Sequence, residues 1–192
     1  MKFPRRKLSG AFDLFFLFGR GVERFDGNRH SAFRSLLPLG IVFTGAIFFA
    51  AFYPPKGMEE GYNATQIVST VAIHFTLSFF LSALAVAYIS RLLKVHSRFW
   101  LFFEASNWTT LIASLLMLPF CLMAITGIIE RLQADRLFAI FSIYGYIVTG
   151  CILFRALRVN WQLAGAITIV TLFISEELWH LLFFIQDIPD PW

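Results

Sequence analysis

Apolar residues run through this chain in long blocks, separated by short polar ones. Crossing a bilayer's hydrocarbon core takes about 20 residues of helix, with a range of roughly 17–25. Blocks of that kind run from Leu36 to Tyr53, Ile67 to Leu93, Phe99 to about Met123, Leu137 to Phe154 and Leu163 to Ile185. Lipid offers no partners for backbone N–H and C=O groups, so only helices or closed barrels cross it. A barrel needs strands of about 10 residues that alternate polar and apolar, and these blocks do not alternate. The pattern therefore predicts an all-α polytopic bundle, a domain over 35–192 with five transmembrane helices. The connections "PPKGMEEGYNATQ", "KVHSR", "ERLQADR" and "RALRVNWQ" are short, which predicts antiparallel and adjacent neighbours. Pro119 predicts a kink in the third helix, because proline deletes an intrahelical hydrogen bond.

Residues 1–34 follow a different pattern. Leu8, Ala11, Phe12, Phe15, Phe18, Val22 and Phe25 recur at three- and four-residue spacing, with Asp13, Arg20, Arg24 and Gly27 on the other side. This predicts an amphipathic helix with basic flanks, lying in the membrane interface or packed on the inner end of the bundle. The interfacial placement is the reading taken. Gly19 and Gly21 weaken that helix locally, and "RFDGNRHS" reads as a turn leading into the first span.

Composition agrees with a lipid environment. The chain is 58% hydrophobic and 15% charged and holds 24 phenylalanines, against roughly 45–50% and 25% for soluble proteins. A chain of this size leaves roughly 30% of its unfolded surface exposed after folding, too much for so apolar a sequence in water alone.

Charge sets the orientation. Lys2, Arg5, Arg6, Lys7, Arg20, Arg24, Arg29 and Arg34 precede the first span. Arg91, Lys94, Arg98, Arg155 and Arg158 fall on the same side, leaving only Lys56, Arg131 and Arg136 on the other. By the positive-inside rule the N-terminus is cytoplasmic and the acidic C-terminal "QDIPDPW" lies opposite. The expected location is a bacterial inner membrane. Trp100, Trp161 and Trp192 fall at predicted interfaces, whereas Trp108 and Trp179 lie deeper and are expected to pack between helices. The basic N-terminus lacks a small-residue cleavage site and reads as an uncleaved segment. The net charge of +4 forms no basic face of a soluble fold, so no nucleic-acid partner is expected. Cys121 and Cys151 are placed too far apart to bridge. The "NAT" at Asn63 matches a glycosylation acceptor but sits close to the membrane.

Chemistry is concentrated in a few intramembrane polar residues. "ISEELWH" puts Glu176, Glu177 and His180 inside the fifth apolar block. Glu176 is roughly 20 Å from the inner end at 1.5 Å per residue, and His74 reaches a similar depth in the second block. Ionisable groups at such depth mark a pathway, a proton relay or a structural pair, so Glu176 is expected to meet His74 or His180 inside while Glu177 reaches toward water. Glu177-x-x-His180 is half of a di-iron bundle signature whose other half is absent. The second cluster is Glu104 and Asn107 in "FFEASNWTTL": Glu104 is expected to snorkel or to pair with Arg98, Arg155 or Arg158, and Ser106, Asn107, Thr109 and Thr110 to hydrogen-bond across helices. Arg5, Arg6, Lys7, Arg20 and Arg24 are expected to face the membrane surface. No nucleophile elbow, phosphate loop or zinc spacing occurs, so no catalytic residue, metal or cofactor is expected.

The layout resembles the Yip-type membrane domain, the Ypt/Rab-interacting superfamily, including its bacterial members. "FGRGVERFDGNRHSAFRSLLP" matches that family's basic amphipathic cytoplasmic segment, and "ASNWTTLIASLLMLP" the polar-aromatic opening of its third span. The eukaryotic members' Asp-Leu-Tyr-Gly-Pro motif is absent, and no functional residues carry over. The resemblance implies a non-catalytic role in membrane organisation or partner binding, with the bilayer and another membrane protein or a second copy as partners. The competing expectation is a small transporter or proton-coupled permease using His74, Glu176 and His180.

Overall fold

The computed structural model describes residues 5–55, 58 and 61–185. Lys2, Lys56, Trp192 and the acidic tail 186–192 lie outside the described residues. All the regular structure described is helical: α1 (Arg5–Phe15), a 3₁₀ turn over Gly19–Arg24, α2 (Arg29–Arg34), α3 (Leu36–Phe52), α4 (Ala64–Leu92), a second 3₁₀ turn over His96–Arg98, α5 (Phe99–Ile125), α6 (Arg131–Leu157) and α7 (Trp161–Ile185). Five helices are long and apolar enough to cross a membrane, the first being α3 together with α2. This is an integral membrane protein.

The helices extend past the apolar blocks where polar residues still favour helix. α6 begins at Arg131 rather than Leu137, because "RLQADR" consists largely of good helix formers. α4 begins at Ala64, and Asn63 is its cap. The Asn63 side chain accepts from the Gln66 N–H at 2.9 Å, while the Gln66 side chain accepts from the Asn63 N–H at 3.0 Å. This reciprocal pair satisfies two of the helix's orphan donors. α5 runs through Pro119 as one helix.

The five long helices close a ring. α3 packs on α4 and α5, α4 on α7, α7 on α6, and α6 on α5. Adjacency of successive helices holds for α3–α4, α5–α6 and α6–α7. The expectation fails for α4 and α5, which touch little, because α3 stands between them. The end of the ring where α3, α5 and α7 begin carries Arg29, Arg34, Arg91, Lys94, Arg98, Arg155 and Arg158, and is called here the basic end. At the opposite end α3 is tied to α6: the Tyr53 hydroxyl donates to Asp135 at 2.8 Å, and Arg131 donates to the Pro54 carbonyl at 2.7 Å. Large apolar side chains such as Phe48, Leu84, Ile140 and Phe173 point outward, as a lipid solvent permits.

The N-terminal segment is not one helix. α1 stops at Phe15, Leu17 takes a left-handed backbone (φ 63°), and the chain folds back through Gly19–Arg24. The Phe18 N–H reaches the Asp13 carbonyl at 2.8 Å, closing a Schellman-type end with leucine where glycine is usual. The two arms touch through glycines: a Cβ on Gly10 would lie 2.9 Å from the Gly21 carbonyl oxygen. Periodicity across 8–25 counted a single face, but the reversal divides it. Ala11, Leu14, Phe15, Val22 and Phe25 are buried, while Phe12, Phe16 and Phe18 are exposed. The buried set joins the core formed by Phe102, Ala105, Trp108, Ile152 and Ala156 of α5 and α6. The hairpin is thus packed on the bundle.

Candidate functional site

α1 advances alongside α5 in the same direction. Near its start Lys7 meets Glu104, and at its end Phe15 lines a cavity shared with Ser106, Thr109, Thr110 and Ala113. Ala113 is roughly 21 Å along α5 from Phe99 at 1.5 Å per residue. The hairpin therefore reaches well past the ring's basic end. Irregular backbone at such depth needs internal partners, and it has them. The Tyr144 hydroxyl of α6 donates to the Phe15 carbonyl at 2.5 Å, and Asp13 pairs with Arg24 at 2.9 Å and Arg20 at 3.6 Å.

Glu104 is 0% exposed and is the centre of this contact. Its Oε1 receives Lys7 Nζ at 2.5 Å and lies 2.5 Å from Ser31 Oγ, and its Oε2 accepts the Gly27 N–H at 3.0 Å. Asp26 takes Lys7 at 2.8 Å from the other side. Ser31 accepts from Lys7 and has one proton to give, to Glu104 or to Asp26 at 3.1 Å. Local geometry presents these groups. Asn28 caps α2 by accepting the Ser31 N–H at 2.8 Å, and Gly27 holds a left-handed φ of 63° with Leu101 close by. Burial alone would depress the Lys7 ammonium, but hydrogen bonds to Asp26 and Glu104, with their charges, outweigh it and raise its pKa. The bond from Lys7 chiefly holds the Asp26 carboxyl below its ordinary value. One turn along α5, Asn107 donates to Ser35 Oγ at 2.9 Å. Glu104 and Asn107 together fasten the whole segment from Lys7 to Ser35.

This corrects the partner expected for Glu104. Arg98 instead donates to the Ala156 carbonyl at 3.1 Å, and Arg155 lies 4.9 Å over the Phe154 ring. Several of the N-terminal bases expected at the membrane surface also have partners within the protein. Lys7, Arg20 and Arg24 are engaged in ion pairs and Arg6 bonds the Glu23 carbonyl, whereas Arg5 is exposed.

The second expected cluster does not assemble as drawn. His74 is buried against α7, but its Nε2 faces the Ser175 carbonyl at 3.1 Å rather than a Glu176 carboxylate. Ser78 and Ser175 hydroxyls lie 3.3 and 3.5 Å from the same nitrogen, and the ring stacks on Trp179 at 3.9 Å. Stacking on α7 places His74 over the backbone there, one residue short of the carboxylate. Glu176 is half-buried within electrostatic reach of Tyr146, and Glu177 and His180 are exposed. Among the described residues no three His, Cys, Asp or Glu groups converge as metal ligands.

Sequence reading missed the cavity. About 260 Å³ in volume, it is lined by Phe15 and by hydroxyls of α5 and α6, among them Ser106, Thr109, Ser142 and Thr149. The Ser106 hydroxyl is buried without a partner among the described residues. Its one sequence signal is the concentration of small hydroxyl residues in "ASNWTT" and "FSIYGYIVTG", which cannot specify that they face each other.

Compared with known proteins, the chain matches no family model, no curated protein and no solved structure.

Proposed function

We propose that this membrane protein is a non-catalytic organising or partner-binding protein. Its basic end faces the cytoplasm, by the positive-inside rule, in a bacterial inner membrane, and the N-terminal hairpin enters the bundle from that side. The resemblance to the Yip-type membrane domain supports the same reading. The observation that carries it is the state of Glu104. Glu104, fully buried, is held by Lys7 and by the Gly27 N–H, with Ser31 Oγ 2.5 Å away, so it serves to fix a presented element. The element it fixes displays Phe12, Phe16, Leu17 and Phe18 outward, with Arg20 5.8 Å over the Phe18 ring. An apolar tip rimmed by arginine is a surface suited to another membrane protein.

The test has two arms. A photo-crosslinking residue at Phe12 or Phe16 is expected to give discrete protein adducts in cells, whereas the same residue at Phe48 of α3 gives lipid adducts. In proteoliposomes holding a pH-sensitive dye, the wild-type protein is expected to pass no protons. Proton entry that disappears in Glu176→Gln plus Glu177→Gln establishes the permease reading and overturns this one.

A further inference from the structure

The turn between α6 and α7 brings Arg98 and Arg158 together, with Arg155 one turn earlier on α6. Arg98, entering α5, donates to the Ala156 carbonyl at 3.1 Å, which ties the α4–α5 turn to the end of α6. Two residues beyond Ala156 is Arg158, exposed on a left-handed backbone (φ 55°) and within electrostatic reach of Arg98. Arg155 is laid beside Gly19 of the hairpin, its Nε 2.5 Å from where a Cβ would sit. None of the three has an ion pair among the described residues. Nearby acids are used elsewhere: Asp13 by Arg20 and Arg24, and Asp26 and Glu104 by Lys7.

Like charges held together at a membrane-facing end repel each other unless an anion lies between them. The surroundings identify the anion. Trp161, three residues after Arg158, is 71% exposed, and Leu92 at the end of α4 is 64% exposed. An indole at this level fits the headgroup region, and apolar surface descending from it fits acyl chains. The first turn of α7 contains no acidic residue to oppose a negative ligand.

We propose that Arg98 and Arg158, flanked by Arg155 and Trp161, bind the phosphate of an anionic phospholipid in the leaflet at the basic end. Basic pockets between transmembrane helices are a known way to hold such headgroups. The site commits to a lipid rather than free phosphate because the exposed apolar surface beneath the arginines has no use for an inorganic ion.

Native mass spectrometry of the detergent-purified full chain, titrated with phosphatidylglycerol or phosphatidylcholine, tests this. Wild type is expected to retain phosphatidylglycerol preferentially. Arg158→Gln should weaken that retention about fivefold, with a further loss of similar size on adding Arg98→Gln. Arg98→Lys should recover part of it. Arg158 is exposed, so its variant reads the site even if Arg98→Gln disturbs the end of α6. The proposal is overturned if Arg158→Gln retains phosphatidylglycerol like wild type. It is also overturned if Arg5→Gln causes an equal loss, which means diffuse charge only. Equal occupancy by millimolar inorganic phosphate, with no added retention of phosphatidylglycerol, assigns the site to a free anion and removes the lipid.

Discussion

Lys7 and Glu104, 97 positions apart in the chain, meet at 2.5 Å, with the carboxylate wholly shielded from solvent. Helices in lipid gain little from burying apolar surface against one another, because the tails they displace are equally apolar. A buried ion pair with further hydrogen bonds therefore counts for more in seating the hairpin. Removing one partner of such a pair costs about 3–5 kcal/mol. Lys7→Met is expected to lower the thermal midpoint in detergent and to open Arg24 to trypsin. Lys7→Met with Glu104→Gln is expected to cost less than the sum of the single changes, since no charge is then left unpaired. Additive losses in that cycle contradict the latch.

The latch also sets a pH window. Asp26 has a lowered folded-state pKa, so its contribution is present above the unfolded value and lost as pH falls through the folded one, below 3.8. Lys7 has a raised pKa, so its contribution is complete below the unfolded value of 10.5 and lost as pH rises beyond it. Protection of the hairpin amides from hydrogen exchange, corrected for the intrinsic pH dependence of exchange, is expected to be flat between these limits. Asp26→Asn should remove the acid-side dependence due to this group. A protection step near neutral pH is the outcome that rejects the assignment.

Backbone geometry in the hairpin gives opposite signs at two positions. Leu17 holds a left-handed conformation that costs a non-glycine residue roughly 1–2 kcal/mol. Its side chain is exposed, so Leu17→Gly is expected to leave stability unchanged or raise it by up to about 1 kcal/mol. A Cβ on Gly21 would run into the Gly10 carbonyl oxygen and the Leu14 side chain, and Gly21→Ala is expected to cost about 1–3 kcal/mol. Gly145→Ala is the control, with open space around its Cβ position. Thermal unfolding of the three variants in one detergent decides the matter.

At His74 the structural reading predicts no coupling to Glu176. His74→Ala is expected to cost about 2 kcal/mol through loss of the Trp179 stack and the Ser175 bond. Glu176→Gln should change little, and the double variant should be additive within about 0.5 kcal/mol. A coupling above 1 kcal/mol restores the direct pair that sequence spacing suggested.

The spans were legible because hydropathy reports the solvent around each segment, and lipid leaves a long signature. What hydropathy does not report is where a helix continues into water, and so the polar first turns of α6 were read as a loop. The hairpin was illegible for another reason. Its reversal depends on Leu17 adopting a conformation that its residue type disfavours, and no periodic pattern announces that. Glu104 was singled out as an intramembrane polar group that snorkels or pairs. Its partner was sought among arginines of neighbouring loops, because nothing in a single sequence links a lysine before the first span to a glutamate in the third. His74 lies against the helix expected for it, but sequence spacing does not distinguish a carboxylate from the carbonyl one residue earlier.

The 97-position separation of the latch has a consequence in time. At a synthesis rate of about 5–20 residues per second, Lys7 leaves the ribosome roughly 5–20 seconds before Glu104 does. The glutamate that most resists entry into lipid is thus made when its counter-charge already waits at the membrane. Until then the hairpin has no seat, and α3 enters without the neighbour that later closes the ring against it. α1 is thus fastened only after α5 has been made.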